Sequence, residues 1–107
     1  KKYDKAARLK GEFDVIAVGE SAVYVIETKL TPDKHKLKAF MNKVGKNFTK
    51  LFPEYGHLPV VLIFASMSFD EDFIKAATND GIFLMAYREW EYMDILNYEA
   101  VMKQRSA

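Results

Sequence analysis

Apolar residues along this chain follow two different periods. From Phe13 to Val18, and again from Ala22 to Thr28, they run almost without a break and are rich in β-branched and aromatic types. Such runs read as strands, and Gly19-Glu20-Ser21 between them has turn chemistry, so the pair is expected to form an antiparallel hairpin. Neither run alternates with polar residues, which predicts two strands in the middle of a sheet, covered on both faces. Further on the period becomes helical: Leu37, Phe40, Met41, Val44, Phe48, Leu51 and Phe52 repeat at spacings that fit one helix face. Thr31-Pro32-Asp33 reads as the start of that helix, with a capping hydroxyl, a proline at the first position and an acid in the first turn. Pro53 ends it after about five turns.

Leu58 to Ala65 reads as a buried strand. Ser68 to Asn79 reads as a helix whose first turn carries Asp70, Glu71 and Asp72, and Asn79-Asp80-Gly81 stops it. Ile82 to Ala86 is a further strand, and Trp90 to Leu96 an edge strand. The tail Asn97 to Ala107 is a short helix or a frayed end, and Tyr3 to Lys10 the end of one more strand. Strand-helix-strand units favour parallel pairing through right-handed crossovers. The fold class expected is α/β with α+β character: one domain over residues 1–107, with a mixed sheet of four to five strands flanked by helices.

Composition narrows this picture in three ways. The 107 residues are half apolar, enough for a real core in a single domain. There is no cysteine, which removes disulfides and thiolate-held metals and fits a reducing, cytoplasmic compartment. The longest apolar runs, such as Pro59 to Ala65, are far too short to span a membrane. The first residue is Lys, so the chain is expected to begin inside a longer gene product. Charge is uneven although the net value is only +1. Residues 1–50 carry 12 Lys/Arg against 6 Asp/Glu, and residues 51–107 carry 4 against 9. That asymmetry allows a basic face on a near-neutral molecule, with Lys36, Lys43, Lys46 and Lys50 on the outer side of the long helix. The plainer reading is that these lysines solvate an exposed helix side.

Three charged residues interrupt the apolar hairpin: Asp14, Glu27 and Lys29. Glu27 and Lys29 are two apart and share a face of a regular strand. With the turn centred on Glu20-Ser21, residues whose numbers sum to 41 face each other, which sets Asp14 opposite Glu27 at about 5 Å between Cβ atoms. Two carboxylates about 4 Å apart repel by about 4 kcal/mol at an effective dielectric of about 20. Protonation, a neighbouring cation or exposure to water at the strand ends relieves that cost. Lys29 supplies one positive charge. A hard divalent ion, Mg²⁺ or Mn²⁺, suits two carboxylates plus a backbone carbonyl such as that of Thr28. The alternative is that all three are ordinary charges near strand ends.

Glu12-Phe13-Asp14-Val15-Ile16-Ala17, followed by Val25-Ile26-Glu27-Thr28-Lys29, resembles the PD-(D/E)XK nuclease superfamily, which includes many restriction endonucleases and Holliday-junction resolvases. Its single acid matches Asp14, and its E-x-K matches Glu27 and Lys29. The helix closing on Leu51-Phe52-Pro53-Glu54-Tyr55, the strand Val60 to Ala65, the helix Ser68 to Asn79 and Gly81-Ile82-Phe83-Leu84 look like an uncharacterised branch of that superfamily. The resemblance spans residues 10–86. It implies a restriction-endonuclease-like core that hydrolyses DNA phosphodiester bonds. Asp14 and Glu27 would be metal ligands, with Thr28 lending its carbonyl. Lys29 would help to position or deprotonate the attacking water, and Lys36, Lys43 and Lys46 would contact phosphates. Glu12 is a further candidate ligand. Many members carry another acid on a helix before the first strand, and that helix is expected to be absent from this chain.

His35 and His57 read as surface residues with no partner at ligand spacing. Trp90 and Tyr92 read as packing against the sheet edge rather than as base-stacking groups. Three functions remain open on sequence: a metal-dependent nuclease, a nucleic-acid-binding module that kept the fold without the chemistry, and an assembly domain that pairs through the Trp90-to-Leu96 edge as a homodimer.

Overall fold

The computed structural model describes residues 2–3, 12–13, 15–88 and 92–106. Asp14 and Trp90, on which part of the sequence reading rests, lie outside the described residues, as does most of the Tyr3-to-Lys10 segment. In chain order the elements are β1 (Lys2–Tyr3), β2 (Glu12–Phe13), β3 (Val15–Val18), β4 (Val23–Thr28) and α1 (Lys34–Leu51). After a 3-10 turn over Pro53–Tyr55 come β5 (Val60–Ser66), α2 (Glu71–Asn79), β6 (Phe83–Arg88), β7 (Tyr92–Ile95) and α3 (Tyr98–Ser106). The fold is α+β: a five-stranded mixed sheet in the order β3-β4-β5-β6-β7, flanked by three helices, beside a small β1-β2 ladder. Among the described residues no helix is long and apolar enough to cross a membrane.

The hairpin forms in the expected register. Val15 pairs with Ile26, Ile16 with Val25, Ala17 with Tyr24 and Val18 with Val23. Gly19 N–H donates to the Ala22 carbonyl at 2.9 Å, closing the loop around Glu20-Ser21. Of the strand expected over Phe13–Val18, the described residues are Phe13, in β2, and Val15–Val18, which form β3. The pairs β4-β5 and β5-β6 are parallel, and β6-β7 is antiparallel.

Both parallel crossovers step the same way across the sheet, so connections of one hand lay both helices on one face. Leu37, Phe40, Val44 and Phe48 of α1 and Phe73 and Ala77 of α2 accordingly pack with Val23, Val25, Phe64 and Leu84 of the sheet. Phe64 is fully buried there, its ring 6.0 Å from Phe40 and 5.4 Å from Phe73. The opposite face is covered by α3, where Val101 packs with Ile63 and Phe83.

Two expectations are corrected. First, β3 is an edge strand, not a central one, and Val15 and Val18 are 45% and 50% exposed. The helices cover the parallel centre of the sheet, and of the four β3 residues Ile16 alone packs against the main core. Along β4 burial alternates as well: Val23, Val25 and Glu27 are buried while Tyr24 and Thr28 are exposed. On that second face Ile26 is half-buried and packs with the cluster under α3, while Tyr24 and Thr28 on either side of it stay exposed. Second, α1 is capped by Asp33 rather than Thr31, with the Asp33 carboxylate accepting from Lys36 N–H at 2.8 Å. A carboxylate satisfies the free N–H groups of the first turn and also meets the positive end of the helix dipole, which a hydroxyl cannot do.

The second helix stops on the residues its sequence indicates but starts later than the expected Ser68, at Glu71, with Asp70 as its cap. Asp70 accepts from Phe73 N–H at 2.7 Å. At the far end Ile82 N–H donates to Ala77 O and Gly81 N–H to Thr78 O, a Schellman closure in which Gly81 takes φ +75°. Asp70→Ala is expected to cost about 1 kcal/mol through loss of the cap. In urea unfolding it should lower the midpoint without changing the slope.

Candidate functional site

Successive residues of β4 alternate between faces, so Val23, Val25 and Glu27 all point toward α1. The first two meet the core. Glu27 occupies the next inward position, where an apolar residue would be the ordinary choice, and it is only 7% exposed. A buried carboxylate costs several kcal/mol unless it is paired and hydrogen-bonded. Here a lysine from the neighbouring helix supplies the pairing. Lys43 Nζ lies 3.0 Å from Glu27 Oε1 and 3.2 Å from Oε2, a two-oxygen grip by one ammonium. Lys29 approaches from the same strand, its Nζ 3.8 Å from Oε2. One buried carboxylate therefore gathers two cations, Lys43 half-buried and Lys29 40% exposed.

The backbone places this cluster at the C-terminal ends of adjacent parallel strands. Glu27 pairs with Phe64 and Thr28 with Ala65, and Lys29 N–H donates to Ala65 O at 2.9 Å. Two residues past Phe64 on the same strand lies Ser66, buried, with its Oγ lacking a hydrogen-bond partner among the described residues. An unpartnered buried hydroxyl costs about 1–3 kcal/mol. Carboxyl ends of parallel strands are where open α/β sheets receive ligands.

Of the residues singled out from the sequence, the structure brings Glu27 and Lys29 onto one face and into contact. Thr28, between them, turns its side chain to the other, exposed face. Asp14 lies outside the described residues. The lysines of α1 behave differently from one another. Lys36 folds back, its Nζ donating to Thr31 O and lying 3.9 Å from Asp33. The side chain of Lys46 lies outside the described ones.

Lys43 is not on the solvated outer side where the sequence reading sets it. It follows Phe40 by three and precedes Val44 by one, at the flank of the buried stripe, about 60° round the helix from Phe40. That spacing was the signal available in the sequence. What it lacked was the partner, 16 residues away on a strand. Lys38, unremarked in the sequence, pairs with Asp80 at 2.8 Å and ties α1 to the loop after α2.

No protein-family model, curated protein or solved structure matches this chain.

The donor chemistry can be tested against a metal directly. Carboxylate and carbonyl oxygens are hard ligands of the type Mg²⁺ and Mn²⁺ take. The carboxylate of Glu27 suits such an ion in kind, but it is already countered by the ammonium groups of Lys43 and Lys29, so the described lining does not fit a divalent ion in sign. Among the described residues, no group of three or more His, Cys, Asp or Glu side chains gathers to hold a metal. A second carboxylate would have to come from outside them, and Asp14 is the candidate.

Proposed function

We propose that this chain is a restriction-endonuclease-like domain that hydrolyses DNA phosphodiester bonds with a divalent metal. The single observation carrying the reading is Glu27, a charged group buried at the ligand-receiving end of a central strand with two lysines converging on it. A fold under pressure for stability alone does as well or better with apolar residues in place of a buried ion pair, so the arrangement points to chemistry.

In this reading Glu27, Asp14 and the Thr28 carbonyl would hold Mg²⁺ or Mn²⁺. The ion would supply a water of lowered pKa and neutralise charge on the phosphate. Glu27 is held in one orientation by its burial and by Lys43. Lys29 is loosely tied at 3.8 Å and well exposed, so its ammonium is free to reach a phosphate oxygen or the attacking water. Lys36 and Lys46 add phosphate contacts that strengthen binding in a salt-dependent, sequence-independent way.

The test uses the protein expressed from its complete gene, with plasmid and branched-junction DNA as substrates. Cleavage is expected with Mn²⁺ or Mg²⁺ and none with a chelator. Lys29→Met should slow it by about 10²-fold or more while Mn²⁺ binding persists. Intact DNA under all these conditions, together with no Mn²⁺ binding heat that depends on Glu27, rejects the proposal.

A second reading is favoured by one observation: both Glu27 oxygens are already engaged by Lys43, so the carboxylate is charge-balanced without an ion. On that reading the domain binds nucleic acid without cutting it. Affinity would then fall steeply with salt, need no metal, and survive Glu27→Gln.

A further inference from the structure

We infer that the sheet face opposite Glu27 carries a binding pocket for a small amphipathic carboxylate, an apolar body ending in one anion that Arg105 receives. The inference is independent of the nuclease reading. Along β4, Tyr24 turns to the face away from Glu27, and it is Tyr24 that lines this cavity.

The cavity lies between α3 and the sheet and has a volume of about 410 Å³, a size suited to small ligands. Val61 and Ile63 of β5 and Phe83 of β6 form its floor. One face of α3 forms a wall: Tyr98, Met102 and Arg105 recur at spacings of four and three, so they share a side of the helix. The Tyr98 ring stacks on Phe83 with centroids 5.7 Å apart. Tyr24, Tyr98 and Met102 are 37%, 55% and 38% exposed. A lone exposed apolar side chain is ordinary, but three around one hollow form a patch of the kind that receives a partner.

Charge decides what the partner is. Among the described residues, Arg105 is the one charged side chain in the lining. Its guanidinium lies over the Phe83 ring, 5.6 Å from the centroid, which holds it against the apolar floor. Among the described residues no carboxylate lies within ion-pair distance of it. The ring contact leaves N–H donors for an anion, and the planar fork matches the two oxygens of a carboxylate. An amine would meet Arg105 as a like charge. A phosphate dianion would keep half its charge uncountered beside an apolar wall. A monoanion on an apolar body matches both the hollow and its single cation.

The test is methyl nuclear magnetic resonance on the complete protein, titrated with decanoate, decanol and decylamine below their micelle-forming concentrations. Decanoate is expected to shift, saturably, the methyl signals of Ile63, Ile95 and Met102, which line the cavity. Ile16 and Ile74, packed in the core under α1 and α2, should stay unmoved. Decanol should bind more weakly by about tenfold or more, because it forgoes the charge-assisted contact, and decylamine more weakly still. Arg105 is exposed in the last turn of α3, so Arg105→Gln retains the fold. That variant should bring decanoate affinity down to that of decanol. Decanoate that leaves the cavity methyls unmoved, or that binds no more tightly than decanol, overturns the proposal. So does unchanged decanoate affinity in Arg105→Gln. Shifts of the same methyls that follow protein concentration and not ligand identify the face as a contact with a second copy, and overturn it as well. None of these outcomes involves metal or DNA, so the nuclease reading stands or falls separately.

Discussion

Glu27→Gln is expected to reduce metal-dependent DNA cleavage by about 10³-fold or more while leaving the fold in place. The two side chains have the same shape. The amide oxygen of glutamine can still accept from Lys43, so packing beneath α1 and one hydrogen bond survive. The negative charge does not, and with it goes the attraction for a divalent ion. Single-turnover cleavage and a thermal melt on the same preparation separate the two effects: the rate collapses while the melting temperature moves by only a few degrees. Glu27→Ala behaves differently. It leaves the half-buried ammonium of Lys43 facing a hollow, and is expected to cost about 2 kcal/mol, below the full penalty for a buried pair because Lys43 is partly solvated. Wild-type cleavage by Glu27→Gln would reduce Glu27 to a counter-ion for Lys43 and end the catalytic reading.

The largest loss of stability is expected from Asn97→Leu. Asn97 is buried between the end of β7 and the start of α3. Its Oδ1 accepts from Leu84 N–H at 2.9 Å, while its Nδ2 donates to Ile82 O at 3.0 Å and to Thr78 Oγ1 at 2.9 Å. Its own carbonyl accepts from Val101 N–H, opening α3. Its side chain thus joins β6 and α2, and its backbone carbonyl opens α3. Leucine fills a similar volume but leaves the Leu84 amide and the Ile82 carbonyl buried without this partner, at about 1–3 kcal/mol each. A net loss of about 3–4 kcal/mol follows, which lowers the melting temperature by about 15 °C in a domain of this size. Mn²⁺ binding should be unchanged, because β7 is the sheet edge farthest in strand order from the hairpin that carries Glu27. A melting temperature within about 3 °C of wild type would show that this network contributes little.

Much of the scaffold was legible because its signals are local. The α1 stripe, the Gly81 stop and the two-residue loop at Glu20-Ser21 each depend on residues within a few positions of one another. The hairpin register followed from the same loop: once its centre is known, every pair along β3 and β4 is counted off. Two local signals misled. Thr31 looked like the cap of α1 because a hydroxyl before Pro32 fits that role, yet Asp33, with a full charge at the dipole's positive end, took it. The apolar run of β3 looked like a doubly covered strand, because apolar content reports preference for burial and not whether anything is available to do the covering.

At the site, the pairing of Glu27 with Lys29 was readable from their spacing of two on one strand. The grip of Lys43 was not. Nothing near Lys43 in sequence marks it off from Lys36 or Lys50, which sit seven residues to either side on the same line of the helix. Glu27 alone distinguishes it, and Glu27 lies across a crossover whose position depends on how α1 settles on the sheet. Asn97 and Ser66 escaped notice for the same reason: an asparagine after a strand and a serine at a strand end are ordinary until the buried groups around them are known.

By itself the sequence determined the elements, the hairpin register and the facing of Glu27 with Lys29, since strand and helix periods and a two-residue loop are set by backbone geometry over short distances. Which strands lie at the edge, which helix covers which face, and which lysine closes on the buried carboxylate were decided only in the tertiary structure. Those outcomes depend on packing between segments far apart in the chain, where burial of Phe40, Val44 and Phe64 positions α1 and so brings Lys43 onto Glu27.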